Sequence, residues 1–188
     1  MNKLAGKHIG ILCGGWSDER PVSLDSGKSA YNSLMSSNLN AFLFDFKNND
    51  INMLSEFIKS NNIDLVLNLI HGTGGEDGLV QSYLDRLSIK YIGSNSESSK
   101  LSFNKVYTKE VWLRNSLKTP NYLKLSNNIS SKKIEEMFDD KFILKPCESG
   151  SSVGIKIFNT IDFYSSSSKD VLKKLSLNSE NVCDYFIE

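Results

Sequence analysis

Four short stretches gather residue types that could do chemistry. HGTGGEDG, residues 71–78, holds four glycines, two carboxylates and one of the chain's two histidines. His71 reads either as a proton carrier or hydrogen-bond donor to a substrate, or as a structural histidine. Glu76 and Asp77 suit a helix start, where acids cap orphan N–H groups and favour the dipole. That accounts for the acids but not for the glycines, which let a ligand approach the backbone. GGWSDERPVSLDSG, residues 14–27, supplies Glu19, which could hold an ammonium group, and Ser23, which could cap a helix or bind a carboxylate. It lacks the GxGxxG spacing of dinucleotide sites. KPCESGSSVG, residues 145–154, sets Lys145 before a Gly/Ser loop with hydroxyls at Ser151 and Ser152. Such a loop can surround phosphate oxygens with backbone N–H groups and an ammonium; it also reads as a plain hairpin turn with a solvated lysine. In SFNKVYTKE, residues 102–110, Lys105 lies on a helical pattern, where lysines are ordinarily surface residues.

These stretches fall at the ends of regular elements. HIGILC (8–13), AFLFDF (41–46), DLVLNLI (64–70) and IKYIG (89–93) read as strands. Helical patterns separate them: one after Ser23, one with Ile51, Leu54, Phe57 and Ile58, and LVQSYLDRL (79–87). Strands alternating with helices argue for a parallel sheet covered on both faces, with ligands beyond the carboxyl ends of the strands. HGTGGEDG sits at such an end. The character then changes. Residues 94–114 read as helical, SKKIEEMF (131–138) as a short helix, and KFILKP (141–146) and VGIKIF (153–158) as an antiparallel hairpin. A helix near 168–175 and a strand in VCDYFIE follow. The expected division is therefore 1–97 and 98–188, with no internal repeat.

The 188 residues carry a formal net charge of zero, which argues against a nucleic-acid surface. No apolar run approaches the ~20 residues that a membrane helix needs. The N-terminus reads as a first strand rather than a signal peptide. Cys13, Cys147 and Cys183 are widely spaced, lack metal-ligand spacing and suit small, buried or half-buried free thiols in a reducing cytoplasm.

Taken together and in order, GGWSDERPVSLDSG, LIHGTGGEDGLVQSYLDRLSIKYIGSN, LSFNKVYTKE and FILKPCESGSSVGI resemble the D-alanine–D-alanine ligases of the ATP-grasp family. The resemblance covers nearly the whole chain. It implies an α/β protein: an N-terminal, Rossmann-like, pre-ATP-grasp substrate-binding domain, then the first α+β lobe of an ATP-grasp domain. It implies that ATP phosphorylates one D-alanine and that a second attacks the acyl phosphate, for peptidoglycan synthesis. By motif position Glu19 is expected to hold the first D-alanine's ammonium, and His71 to lie near its carboxylate. Ser151 is expected to orient substrate and to bond to Glu19. Lys105 and Lys145 are expected on the ATP phosphates, under a lid of Glu148, Ser149, Gly150, Ser151, Ser152 and Val153. Glu188 would open the adenine hinge.

Two positions depart from the family pattern. The lid commonly has a basic residue and then an acid before GSS, where this chain has Glu148 and Ser149. Trp16 is bulkier than the residue common at its turn. The family also continues beyond the position of Glu188. Ligands for Mg²⁺, or Mn²⁺ in its place, are expected in that further portion, so these 188 residues alone are expected to be inactive. The partners implied are D-alanine and ATP, with a homodimer through the N-terminal domain. The alternative is a noncatalytic, truncated homologue that binds a small amino acid or pairs with another subunit.

Overall fold

The computed structural model describes residues 4–150 and 154–188. The chain divides into two compact units, Met1–Phe103 and Asn104–Glu188. In the first, β1 (His8–Gly14), β2 (Asn40–Phe46), β3 (Leu65–Asn68) and β4 (Lys90–Ile92) form a parallel sheet in the order β2-β1-β3-β4. Near-continuous apolar runs suit strands covered on both faces. Leu12, Phe46, Leu54, Val66, Val80 and Leu84 are fully buried in its core. Burying one such side chain stabilises by about 1.5–3 kcal/mol.

Helices α1 (Arg20–Ser36), α2 (Ile51–Ser60), α3 (Leu79–Arg86) and α4 (Ser96–Phe103) complete this unit. Helix α1 begins four residues earlier than a cap at Ser23 would place it. Glu19 occupies its N-cap position and Pro21 its first turn, so Ser23 is not the cap. Gly27 lets α1 lie directly on β1: a β-carbon there would come within 2.5 Å of Cys13 Cβ. Residue 97, near the expected division, lies within α4.

The stretch 94–114, read as continuously helical, is two helices. Asn104 separates α4 from α5 (Lys105–Arg114), because its side-chain oxygen accepts the Val106 and Tyr107 N–H groups at 3.1 Å each. The rest of the second unit holds β5 (Leu123–Lys124), α6 (Ser131–Met137), β6 (Lys141–Pro146), β7 (Lys156–Asn159), α7 (Ser168–Leu175) and β8 (Tyr185–Ile187). Its antiparallel sheet runs β5-β8-β6-β7. The β6–β7 pairing matches the expected hairpin, although the strand begins at Lys156 rather than at Val153, which is outside the described residues. Phe142, Leu144, Phe163, Val171 and Leu175 pack the core on one face of this sheet.

Candidate functional site

In the first unit, the carboxyl ends of β1 and β3 carry two loops that grip each other. The glycine loop after β3 is anchored from behind. Asn68 Nδ2 and Gln81 Nε2 donate to the Gly75 carbonyl at 2.8 and 2.7 Å. Asp77 accepts the Gly74 N–H at 2.7 Å and the Leu79 N–H at 3.0 Å, which ties the loop to the start of α3. Gly75 must be glycine on steric grounds, since a β-carbon would sit 2.0 Å from the Ile70 carbonyl oxygen. Trp16, from the other loop, covers Gly74 so closely that a β-carbon there would lie 2.4 Å from the indole. The same ring meets Phe46 edge-on at 5.8 Å. The bulk of Trp16 is thus packing between the two loops.

Glu19 and His71 are brought together by this arrangement. Ser17 Oγ donates to the His71 carbonyl at 2.8 Å. A β-carbon on Gly72, whose φ is +67°, would lie 3.0 Å from Glu19 Oε1, so the carboxylate sits against the loop backbone. The half-buried His71 ring places Nε2 3.4 Å from Ser26 Oγ and Nδ1 3.8 Å from Glu76 Oε1. Arg20 reaches Asp45 with two bonds of 2.8 Å and the Gly15 carbonyl at 3.1 Å, bracing the loop that carries Glu19. A carboxylate at a helix N-terminus, set against a glycine loop that also carries an imidazole, supplies groups that can receive the ammonium and carboxylate of an amino acid.

Ser23 is placed differently from a ligand-binding group. Its side chain is fully buried. Its hydroxyl accepts the Gly14 N–H at 2.8 Å and donates to the Leu69 carbonyl at 2.6 Å. Both bonds join the ends of β1 and β3, so Ser23 acts as an internal clasp.

In the second unit, β6 presents alternate residues to opposite faces. Phe142 and Leu144 enter the core, while Ile143 and Lys145 face the other way beside Ile157, which is 67% exposed. Lys145 pairs with Glu188 Oε1, and Lys109 with Glu188 Oε2 at 2.5 Å. Burial pushes the Glu188 carboxyl up, but hydrogen bonds from Lys109 and Lys145 outweigh it and hold the group below its ordinary value. Lys105 donates to the Ser149 carbonyl and lies at the start of α5, where its own N–H bonds to the Cys147 carbonyl at 2.9 Å. Burial first, with the charge of Lys145 adding to it, draws the Lys105 ammonium below its usual range. Glu148 accepts from Asn104 Nδ2 at 2.9 Å, which fastens the residue after Cys147 to the start of α5.

The second unit thus carries two lysines, Lys105 and Lys145, on the elements next to the sheet face that holds Ile143 and Ile157. Among the described residues, no group of three or more His, Cys, Asp or Glu side chains is placed to hold a metal ion. The three cysteines are free, with Cys13 and Cys147 buried and Cys183 exposed, a departure from the buried or half-buried thiol expected there. Burial, reinforced by the Glu148 charge, pushes the Cys147 thiol up to about 11, which leaves it protonated and a poor nucleophile. Among the described residues no helix is long and apolar enough to cross a membrane.

Ser149, Gly150 and Glu188 lie with Lys105, Glu148 and Lys145 in the second unit, whereas Ser151, Ser152 and Val153 fall outside the described residues. Sequence reasoning missed two participants. Asn104 anchors Glu148, and Lys109 holds Glu188. The available signal for Lys109 was its place four residues after Lys105, on the same helix face.

A parallel-sheet unit followed by an antiparallel α+β lobe, with Lys105 at a helix start and Lys145 near the end of β6, is the architecture of an ATP-grasp protein. No protein-family model matches the chain. It is 39% identical over 155 residues to a D-alanine–D-alanine ligase of Bordetella pertussis, an alignment spanning 82% of this chain and 48% of that protein. A ligase of the same name from Bordetella petrii is 35% identical over 185 residues, 98% of this chain and 54% of its own length. The D-alanine–D-alanine ligase of Bacillus anthracis solved with ATP superposes with a TM-score of 0.75 at 26% identity, covering 97% of this chain and 56% of that one. The chain belongs to the D-alanine–D-alanine ligase family, and it spans about half the length of the curated relatives it matches.

Proposed function

We propose that the chain supplies the amino-acid-binding and phosphate-binding parts of a D-alanine–D-alanine ligase. The observation that carries this reading is the Glu19 carboxylate seated against Gly72 beside His71 at the ends of β1 and β3. Glu19 takes the ammonium of the first D-alanine, and His71 faces its carboxylate. Ser23 acts behind them, holding the two strand ends in register. Lys105 leaves the Ser149 carbonyl for ATP phosphate oxygens, Lys145 reaches them from its place on Glu188, and the loop from Glu148 to Val153 closes over them, with Ser151 orienting substrate. Glu188 stands at the adenine hinge.

One oxygen of the D-alanine carboxylate attacks the γ-phosphorus, and the bond to the β–γ bridging oxygen breaks to release ADP. The amine of the second D-alanine, having lost a proton, attacks the acyl carbon. The tetrahedral adduct collapses to the dipeptide and expels phosphate. The chain's own contribution is charge and position, which is what phosphoryl transfer asks of a protein. A closed lid protects the acyl phosphate from water. Mg²⁺, when bound through the rest of the enzyme, neutralises phosphate charge. The dipeptide serves peptidoglycan synthesis in the cytoplasm, and the enzyme works as a homodimer joined through the first unit.

The test is a fusion of this chain to the remaining part of the Bordetella pertussis relative. ADP release that depends on D-alanine, and that Glu19→Gln abolishes, is the expected outcome. A fusion that binds ATP yet releases ADP equally with and without D-alanine would overturn the assignment.

A further inference from the structure

Lys109 is the buried charge that the proposed chemistry leaves unused. It lies on α5, one turn beyond Lys105, and is only 6% exposed. Its ammonium pairs with Glu188 at 2.5 Å, donates to Thr119 Oγ1 at 2.8 Å, and lies 5.5 and 6.0 Å from the ring centres of Tyr122 and Phe186. Enclosed in this way, it cannot itself reach a ligand. The other oxygen of Glu188 takes Lys145, whose side chain is 22% exposed on the open sheet face. One carboxylate is thus divided between an enclosed lysine and an accessible one.

We propose that Lys109 is a positioning residue: it holds Glu188 ionised and fixed in direction, and Glu188 in turn sets the Lys145 ammonium toward an anionic ligand on the sheet face. The inference rests on the reading of Lys145 as a phosphate ligand. Charge counting supports it. A lone Lys145–Glu188 pair is neutral and closes on itself, whereas with Lys109 the triad carries one net positive charge. Burying a lysine costs desolvation, and an apolar residue between Tyr122 and Phe186 would avoid that cost. Among the described residues, the charged side chains facing Glu188 are Lys109 from α5 and Lys145 from β6. The depressed Glu188 pKa agrees with two cationic partners.

The test uses the 188-residue chain with Lys109→Met, which keeps an unbranched stem between the two rings, and Lys109→Arg, which keeps the charge. Three quantities are read in protein shown folded by urea titration. These are the Glu188 titration midpoint by carboxyl NMR, the rate at which an acylating ester labels Lys145, and the affinity for ATP. In Lys109→Met the midpoint should rise by about one pH unit. Lys145 labelling should slow as Glu188 closes on it alone, and ATP should bind about tenfold more weakly. Lys109→Arg should restore most of each. An unmoved midpoint or labelling rate overturns the positioning role, as does a moved midpoint with unchanged ATP affinity. If the wild-type chain binds no ATP, the nucleotide reading falls by itself, and midpoint and labelling still decide whether Lys109 governs Lys145. Should Lys109→Met fail to fold, Thr119→Val removes only one Lys109 hydrogen bond. The midpoint should then rise by a smaller step, and no rise would overturn the proposal.

Discussion

The ends of β1 and β3 and the ends of β6 and β8 hold their candidate ligands' places with different materials. In the first region position comes mainly from backbone and packing, with one bracing ion pair between Arg20 and Asp45: glycines that admit no β-carbon, a buried serine clasping two strands, and a tryptophan laid on a glycine. In the second it comes from charge: two lysines on Glu188, Lys105 on the Ser149 carbonyl, and Glu148 on Asn104. Steric limits and buried hydrogen bonds do not exchange partners. Partly exposed charged contacts, such as Lys105 on the Ser149 carbonyl, do, while the enclosed Lys109–Glu188 pair stays in place. The contrast matches the two tasks. Recognising a small amino acid needs fixed geometry, while gripping and releasing a triphosphate needs cations that can change acceptor.

The largest effect should come from the rigid region. Gly75→Ala drives a methyl into the Ile70 carbonyl and should destabilise the first unit by more than about 3 kcal/mol in urea unfolding. A cost below about 1 kcal/mol would show that the loop yields and would erase the contrast. Ser23→Ala strands the Gly14 N–H and the Leu69 carbonyl and should cost about 1–3 kcal/mol in the same measurement. Asp77→Ala removes the bonds to Gly74 and Leu79 and should cost about 1 kcal/mol.

The smallest effect concerns pH and belongs to the charged region. Glu188 titrates below the ordinary glutamate value of about 4.3 when folded. Its contribution is therefore complete above that value and fades as pH falls through the folded pKa. Denaturation of the second unit should lose stability below about pH 4, and Glu188→Gln should flatten that loss. An equal loss in wild type and variant would place the acid sensitivity elsewhere.

Much of this was legible in the chain itself. The apolar runs around Ile11 and Val66 and the glycines after Ile70 announced strands that end in a ligand-type loop. The start of α1 was misread because Ser23 is a good cap by type, while Pro21 and the chain path placed the start earlier. The break at Asn104 was hidden because the helical pattern continues across it; only the side-chain bonds to Val106 and Tyr107 reveal a new start. The two-residue strand β5 carries no periodicity to read. Lys109 defaults to the surface on any helix pattern, and Tyr122, Phe186 and Glu188, which enclose it, come later in the chain and meet it only through folding.

The most direct measurement is a calorimetric titration of ATP into three versions of the 188-residue chain: wild type, Lys105→Met with Lys145→Met, and Glu19→Gln. Wild type and Glu19→Gln should bind ATP with equal affinity, and the double lysine variant at least about tenfold more weakly. Equal affinity in all three would contradict the assignment of nucleotide recognition to the charged region.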